Sequence, residues 1–459
     1  MATTTGGIDR GHVLRRTDEL RRQLLDGTPE SERWYQRARS VMPRGVPSSF
    51  QAADPRPTYL SHGSGSHVWD VDGHEYVDFH NGFGVMCVGH AHPAIAAAVT
   101  RRVSEGTHFA APTEGSAIVA EELRRRFGLP FWRFTNSGTE STMDAVHLAR
   151  AATGRDVIVK AEGSYHGHHD AVMVSVRPPL EELGRPGALS SVPFGAGHLP
   201  AATRATQAVP FNDAEALRGA LEGELRGRVA GVILEPAMMN ITIVAPRADY
   251  LERVRELCDE HGVVLIFDEV KTGATIAAGG AVQRFGVVPD VVCLAKAICG
   301  GLPGGAIGMT ERLADLIEGG AVRQVGTFNG NPLVMAAAQA ALLEVLDDAA
   351  YARFDAMNER LMTGLDAVID RHGLPCHTAG MGAKGCVVFA AEPLRDYRDY
   401  ATMVDAELSE LAWLHHMTSG VFMTPGVDEQ WTLSVAHSDD EVDHYVGIFD
   451  AFAQDVAAR

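Results

Sequence analysis

The sequence predicts an α/β protein: a mostly parallel sheet covered by helices, joined to a smaller α+β domain. Three observations carry this. From about residue 131 onward, short apolar runs alternate with helical stretches, the signature of strands joined by crossover helices. From about residue 345 that alternation gives way to long helices flanking short strands. The chain has 459 residues, 46% hydrophobic and 22% charged, enough for two or three domains around a large core.

Taken in order, residues 1–30 are polar and arginine-rich and read as a frayed arm with a short helix near Val13–Leu25. A second helix is expected over Ser31–Met42, capped by Ser31. Pro43, Pro47, Pro55 and Pro57 then impose an irregular segment. Ser66–Phe79 alternates apolar and polar residues about Asp72-Gly73, which predicts a hairpin. A helix should run from Pro93 to about Glu105. Strands are expected at Phe131–Thr135, Asp156–Lys160, Val229–Leu234, Val263–Phe267, Val291–Ala295 and Ala306–Met309. Helices at Thr139–Thr153, Ala248–His261 and Pro332–Leu346 lie between or after them. Later helices fall near 350–372, 400–417 and 438–456, with short strands near Gly385–Phe389 and Val421–Phe422. The expected division is 1–80, an arm, helices and hairpin joining the small domain; 81–340, the large domain; and 341–459, the small domain. No internal repeat or low-complexity tract is visible.

Composition excludes several classes of partner. A formal net charge of -19 argues against a nucleic-acid surface or an anionic membrane. No run approaches a membrane span, and Met1–Arg16 lacks the apolar core of a signal peptide. The 6 cysteines are scattered without a C-x-x-C pair and read as reduced core thiols, so a cytoplasmic location is expected.

The chemistry concentrates where strands end. Val291–Ala295 delivers Lys296 into a turn before the glycine-rich stretch Gly300–Gly305. Lys296 is one of only four lysines, with Lys160, Lys271 and Lys384. It reads either as an amine that forms an imine, which partial burial favours, or as a lysine snorkelling from a strand end. Asn136-Ser-Gly-Thr-Glu140 follows a strand and opens a helix; it is either a phosphate seat or a plain capping box of Ser137 with Glu140. Asp268 ends the apolar run Val264–Phe267 and needs a cationic partner, either a protonated ring nitrogen or an arginine. Gly163–Asp170 contains three histidines, but their spacing does not place them on one helix face, so no metal site is expected. Tyr165 in that loop offers a ring for stacking. Val325–Pro332 is either a second phosphate contact or a helix start capped by Asn331. Together these features ask for a ligand with a phosphate, a flat ring, a ring nitrogen and an aldehyde. Pyridoxal phosphate has all four.

At this point the chain resembles a known family. Met42-Pro-Arg-Gly-Val46, Trp69-Asp-Val-Asp-Gly73, Gly89-His-Ala-His-Pro93, Asn136–Glu140, Tyr165-His-Gly167, Leu234-Glu-Pro236, Asp268-Glu-Val270, Gly326-Thr327 and Ala436-His437 occur in the order seen in class III aminotransferases of fold type I. The nearest look is to glutamate-1-semialdehyde 2,1-aminomutase. The resemblance covers about residue 35 to the C-terminus and implies a seven-stranded sheet and pyridoxal 5'-phosphate as cofactor. It implies that Lys296 is the Schiff-base lysine and proton shuttle and that Asp268 pairs with the ring nitrogen. Tyr165 and Val270 then lie on the two ring faces, and Ser137, Gly138 and Thr139 hold the phosphate. Thr327 would join them from a partner subunit, which implies a homodimer. His166 and Glu235 would lie near the cofactor.

The departures from that family's pattern shape the expected reaction. Where aminomutases carry an arginine that grips the substrate carboxylate, this chain has Gln51, and a neutral amide does not replace a bidentate guanidinium. Thr272-Gly-Ala-Thr275 stands where the family has Thr-Gly-Phe-Arg, and Arg44 where it has glycine. Arg44 is either a displaced carboxylate contact or a surface charge. Val176–Ala202 matches the aminomutase gating loop. The expectation is an aminotransferase that takes an amine or β/ω-amino-acid donor and a carbonyl acceptor in ping-pong order. The alternative is the intramolecular aminomutase. Intact Lys296 and Asp268 argue against a non-catalytic scaffold. Gln51, Phe83 and His108, with Phe50, Val85 and Phe109, are the candidate substrate pocket.

Overall fold

The computed structural model describes residues 8–185, 188–426 and 430–457. Its largest sheet has seven strands in the spatial order Phe131–Thr135, Gly305–Met309, Val291–Ala295, Val264–Asp268, Val229–Leu234, Val157–Ala161 and Thr206–Val209. Gly305–Met309 runs antiparallel to both neighbours, and every other ladder is parallel. The strands from Gly305–Met309 across to Val157–Ala161 are buried along their whole length. Helices cover both their faces, so they read as continuous apolar runs. The edge strand Phe131–Thr135 instead alternates exposed and half-buried positions. Thr206–Val209, at the other edge, is the strand the sequence reading lacks. Its four residues include a threonine and a glutamine, too short an apolar run to register.

Two further sheets join distant parts of the chain. Leu60–Ser64, His67–Asp70 and Glu75–Asp78 form an antiparallel set around the expected Asp72-Gly73 turn, and Val421–Phe422 adds to it in parallel. A C-terminal segment thus completes an N-terminal sheet. His377–Met381, Lys384–Val388 and Gln430–Thr432 form the other.

Several boundaries differ from expectation for identifiable reasons. The N-terminal helix runs Arg10–Gly27, starts from an Asp9 cap, and is not a frayed arm. It is pinned to the C-terminal part of the chain by Arg10 with Asp405 and by His12 and Arg16, both on Asp455 at 3.0 and 2.8 Å. The next helix is Pro29–Arg39, and Ser31 is not its cap. The carboxylate of Asp72 serves instead, accepting from the backbone N–H groups of Glu30 and Ser31 at 2.5 and 2.9 Å. A cap supplied across 41 residues leaves no local sequence signal. The expected helix Pro332–Leu346 is regular only over Pro332–Gln339 and continues as a wider π turn over Ala340–Val345. The expected 400–417 helix is two, Tyr397–Met403 and Ala406–Thr418. Among the described residues no helix is long and apolar enough to cross a membrane.

Candidate active site

A parallel sheet delivers the carboxyl ends of its strands to one side, and the chemistry-bearing residues follow those ends. Ser137 comes just after Phe131–Thr135, Tyr165 after Val157–Ala161 and Glu235 after Val229–Leu234. Asp268 closes its own strand, and Lys296 follows Val291–Ala295. One cavity of about 440 Å³ is lined by all five, and by Gly138, Thr139, His166 and Val270.

Lys296 sits at φ 52, the left-handed region that side chains other than glycine rarely adopt. That turn ends the strand and aims the amine across the cavity. Burial first, and then the positive charge of Lys271, push the Lys296 amine down to about 8. A fraction of it is therefore neutral, and nucleophilic, near neutral pH.

Asp268 is held without an arginine. Its Oδ2 lies 2.8 Å from Nδ1 of His166, and its Oδ1 accepts the N–H of Val270 at 3.0 Å. The arginine partner considered from sequence is thus replaced by a histidine. Nε2 of that histidine is buried and, among the described residues, has no hydrogen-bond partner. The other histidines of this loop do not line the cavity: His168 is exposed, its backbone N–H donating to Thr139 Oγ1 at 3.1 Å, and His169 Nε2 lies 3.3 Å from Thr142 Oγ1. Glu235 braces the loop, accepting the N–H groups of Tyr165 at 3.0 Å and Met239 at 2.8 Å. Lys160 supports it from below, its Nζ donating to the Ser164 and Val174 carbonyls at 2.8 and 2.5 Å.

The helix Gly138–Thr153 opens onto the same cavity. Ser137 Oγ accepts the Glu140 N–H at 3.2 Å, and Glu140 reaches back to the Asn136 N–H at 2.6 Å. The capping box therefore exists, shifted one residue, and the phosphate-seat reading survives beside it. First-turn N–H groups have no intrahelical partner, so those of Gly138 and Thr139 remain for a ligand. Glycine at 138 is required by close approach: a Cβ there would stand 2.7 Å from Val270 Cγ2. Asn331 also caps its helix, accepting the Val334 N–H at 3.0 Å.

Three expected residues lie elsewhere. Thr327 and His108 share a different cavity of about 650 Å³ with Phe109. Gln51 lines an apolar cavity of about 510 Å³ beside the N-terminal segment. Arg44 is exposed and lines none of these cavities, which fits a surface charge. Phe83 does border an outer chamber of about 350 Å³ that shares Phe50, Tyr165, Asn240, Lys271 and Lys296 with the Lys296 cavity. That chamber holds what sequence reasoning missed: Lys271, Lys384, Arg177 and His80. The scarcity of lysine was the available signal, since three of the four converge here. The position where the family's second arginine is lost, Thr275, is buried and donates to the Lys271 carbonyl at 2.7 Å.

Comparison with known proteins gives the class. The family profile described as aminotransferase class-III matches residues 50–403. Glutamate-1-semialdehyde 2,1-aminomutase of Syntrophobacter fumaroxidans is 37% identical over 89% of this chain and 94% of its own length. The enzyme of the same name from Archaeoglobus fulgidus is 35% identical over 91% and 97%. Among solved structures, an omega-transaminase from Sphaerobacter thermophilus superposes with a TM-score of 0.88 at 33% identity, covering 93% of this chain and 97% of that one. A lysine-to-alanine variant of a glutamate-1-semialdehyde-aminomutase from Pseudomonas aeruginosa PAO1, in complex with PMP, gives 0.90 at 29% identity, covering 98% and 100%. The chain belongs to the class III aminotransferase family, and its architecture is that of fold type I.

Proposed function

We propose that this enzyme moves an amino group between two separate molecules, from an amine or a β/ω-amino-acid donor to a keto acid or aldehyde. The observation that supports it best is the meeting of Lys296, Asp268 and the first turn of Gly138–Thr153 in one cavity. Family membership makes pyridoxal 5'-phosphate the cofactor. The residues present fit it: unclaimed helix N–H groups suit a phosphate, and a buried carboxylate without an arginine suits a protonated ring nitrogen. When bound, the cofactor supplies an aldehyde to receive the amino group and a ring that accommodates the electron pair released beside it.

The chain's own residues do the rest. Ser137, Gly138 and Thr139 would hold the phosphate. Asp268, steadied by His166, would keep the ring nitrogen protonated. Tyr165 and Val270 would bracket the ring. Nζ of Lys296 would be the base that takes the proton from the substrate carbon bearing the amino group, and the acid that gives it back. Phe50, edge-on to Tyr165 at 5.3 Å, narrows the mouth and limits water.

Gln51 supports transfer between molecules, because it stands where aminomutases carry their carboxylate-gripping arginine, and in this structure it lines the cavity beside the N-terminal segment and not that of Lys296. The second reading, an intramolecular aminomutase, is supported by relatives of that name at 35% to 37% identity. The test is a half-reaction without acceptor. The holoenzyme is mixed with a panel of amines and amino acids while the cofactor's absorbance is followed. Conversion to its amine form by one donor class, with the carbonyl product accumulating, supports transfer between molecules. Catalytic isomerisation of glutamate-1-semialdehyde, with no donor converting the cofactor, refutes it.

A further inference from the structure

The outer chamber is lined by basic side chains against the trend of the molecule. The chain carries a net -19, yet the chamber is lined by Lys271, Lys296, Lys384 and Arg177 and, among the described residues, by no aspartate or glutamate. The two carboxylates of the inner cavity, Glu235 and Asp268, are both engaged by donors there.

Of these four cations Lys384 alone is buried. It starts the strand Lys384–Val388 and is 1% exposed. Its Nζ donates a hydrogen bond to Thr432 Oγ1 at 2.8 Å, across the ladder in which Lys384 and Thr432 are paired. Among the described residues it has no ion-pair partner, although an unpaired buried ammonium is costly. Room is made for it: Gly84 has φ +93, and a Cβ there would stand 2.3 Å from the Nζ. Beside it, Nε2 of His80 is buried, has no hydrogen-bond partner among the described residues, and belongs to a residue that also borders the chamber. Burial, Lys271 and Lys296 hold the Lys384 amine well below its ordinary value, and an anion bound beside it would favour the charged form.

We infer that Lys384 is the acid-binding, specificity-determining residue of the substrate chamber, the role that Gln51 does not fill. The substrate class is then an amino acid whose carboxylate is separated from the reacting amine by a spacer. Lys384 borders only the outer chamber, whereas Lys296 borders both, so an acid group at Lys384 stands away from the carbon that meets Lys296. A β- or ω-amino acid satisfies this, and a plain amine leaves Lys384 unpaired. Thr432 positions the ammonium. This assignment rests on the reading of Lys296 as the reacting amine.

The test uses binding without turnover, so it remains readable whichever reaction the enzyme catalyses. The full-length holoenzyme is titrated with short straight-chain monocarboxylates and their primary amides, with affinity read from perturbation of the cofactor's absorbance and by calorimetry. Wild type binds the acids in preference to the amides. In Lys384→Met that preference falls by about 10- to 100-fold, the range expected for loss of a hydrogen bond to a charged group. Lys384→Gln does the same if the methionine variant fails to fold, and Lys384→Arg retains the preference. Circular dichroism and retained cofactor certify each variant. An acid preference unchanged in both neutral variants, or absent from wild type, overturns the assignment. Should glutamate-1-semialdehyde prove to be isomerised while the acid preference still tracks Lys384, the transfer reading falls and this one stands.

Discussion

Lys296 carries the heaviest demand placed on any single residue. Its amine must lose a proton, and burial with Lys271 nearby lowers it to about 8. A lowered lysine gains its neutral form as pH rises through that value. Covalent uptake of pyridoxal phosphate by the apoprotein should therefore accelerate through about pH 8, and Lys271→Met should move the midpoint upward. Stopped-flow absorbance at a series of pH values checks both. Lys296 and Asp268 were legible as candidates because a lysine and an aspartate ending apolar runs are rare enough to demand a reason. The partner of Asp268 was not. His166 lies 102 residues away, and only the fold brings it within hydrogen-bond reach.

Elements position these residues, and their caps can be tested separately. Gly138 lets the phosphate-facing helix start against Val270. Gly138→Ala should weaken cofactor binding by about 10-fold through displacement of Val270, and adding Val270→Ala should restore much of it. Equilibrium titration of the apoprotein reads this. Asp72 caps Pro29–Arg39 from a distant turn. Asp72→Ala should cost about 1 kcal/mol in chemical denaturation, and Ser31→Ala clearly less. Strands were the most legible elements: Phe131–Thr135, Val229–Leu234 and Val291–Ala295 occupy the expected residues. Helix starts were less so, because the Asp72 cap depends on contacts absent from local sequence.

At the scale of the molecule, the division into 1–80, 81–340 and 341–459 remains our proposal. The pairing of Val421–Phe422 with Glu75–Asp78 favours grouping the first and last parts. We further propose a homodimer. Val325, Phe328 and Phe109 are 82%, 57% and 49% exposed and lie with Thr327 and His108 away from their own Lys296 cavity. Such a patch calls for a partner. Sedimentation should give a dimer, and Thr327→Asp should lower cofactor affinity through repulsion of the partner's phosphate while leaving the dimer intact.

The central claim is that Lys296, among three lysines bordering connected cavities, is the one that bonds the cofactor. Borohydride reduction of the holoprotein followed by peptide mass mapping tests it directly. The account predicts a phosphopyridoxyl mass on Lys296 alone, lost in Lys296→Ala. The same mass on Lys271 or Lys384 in wild type would contradict it.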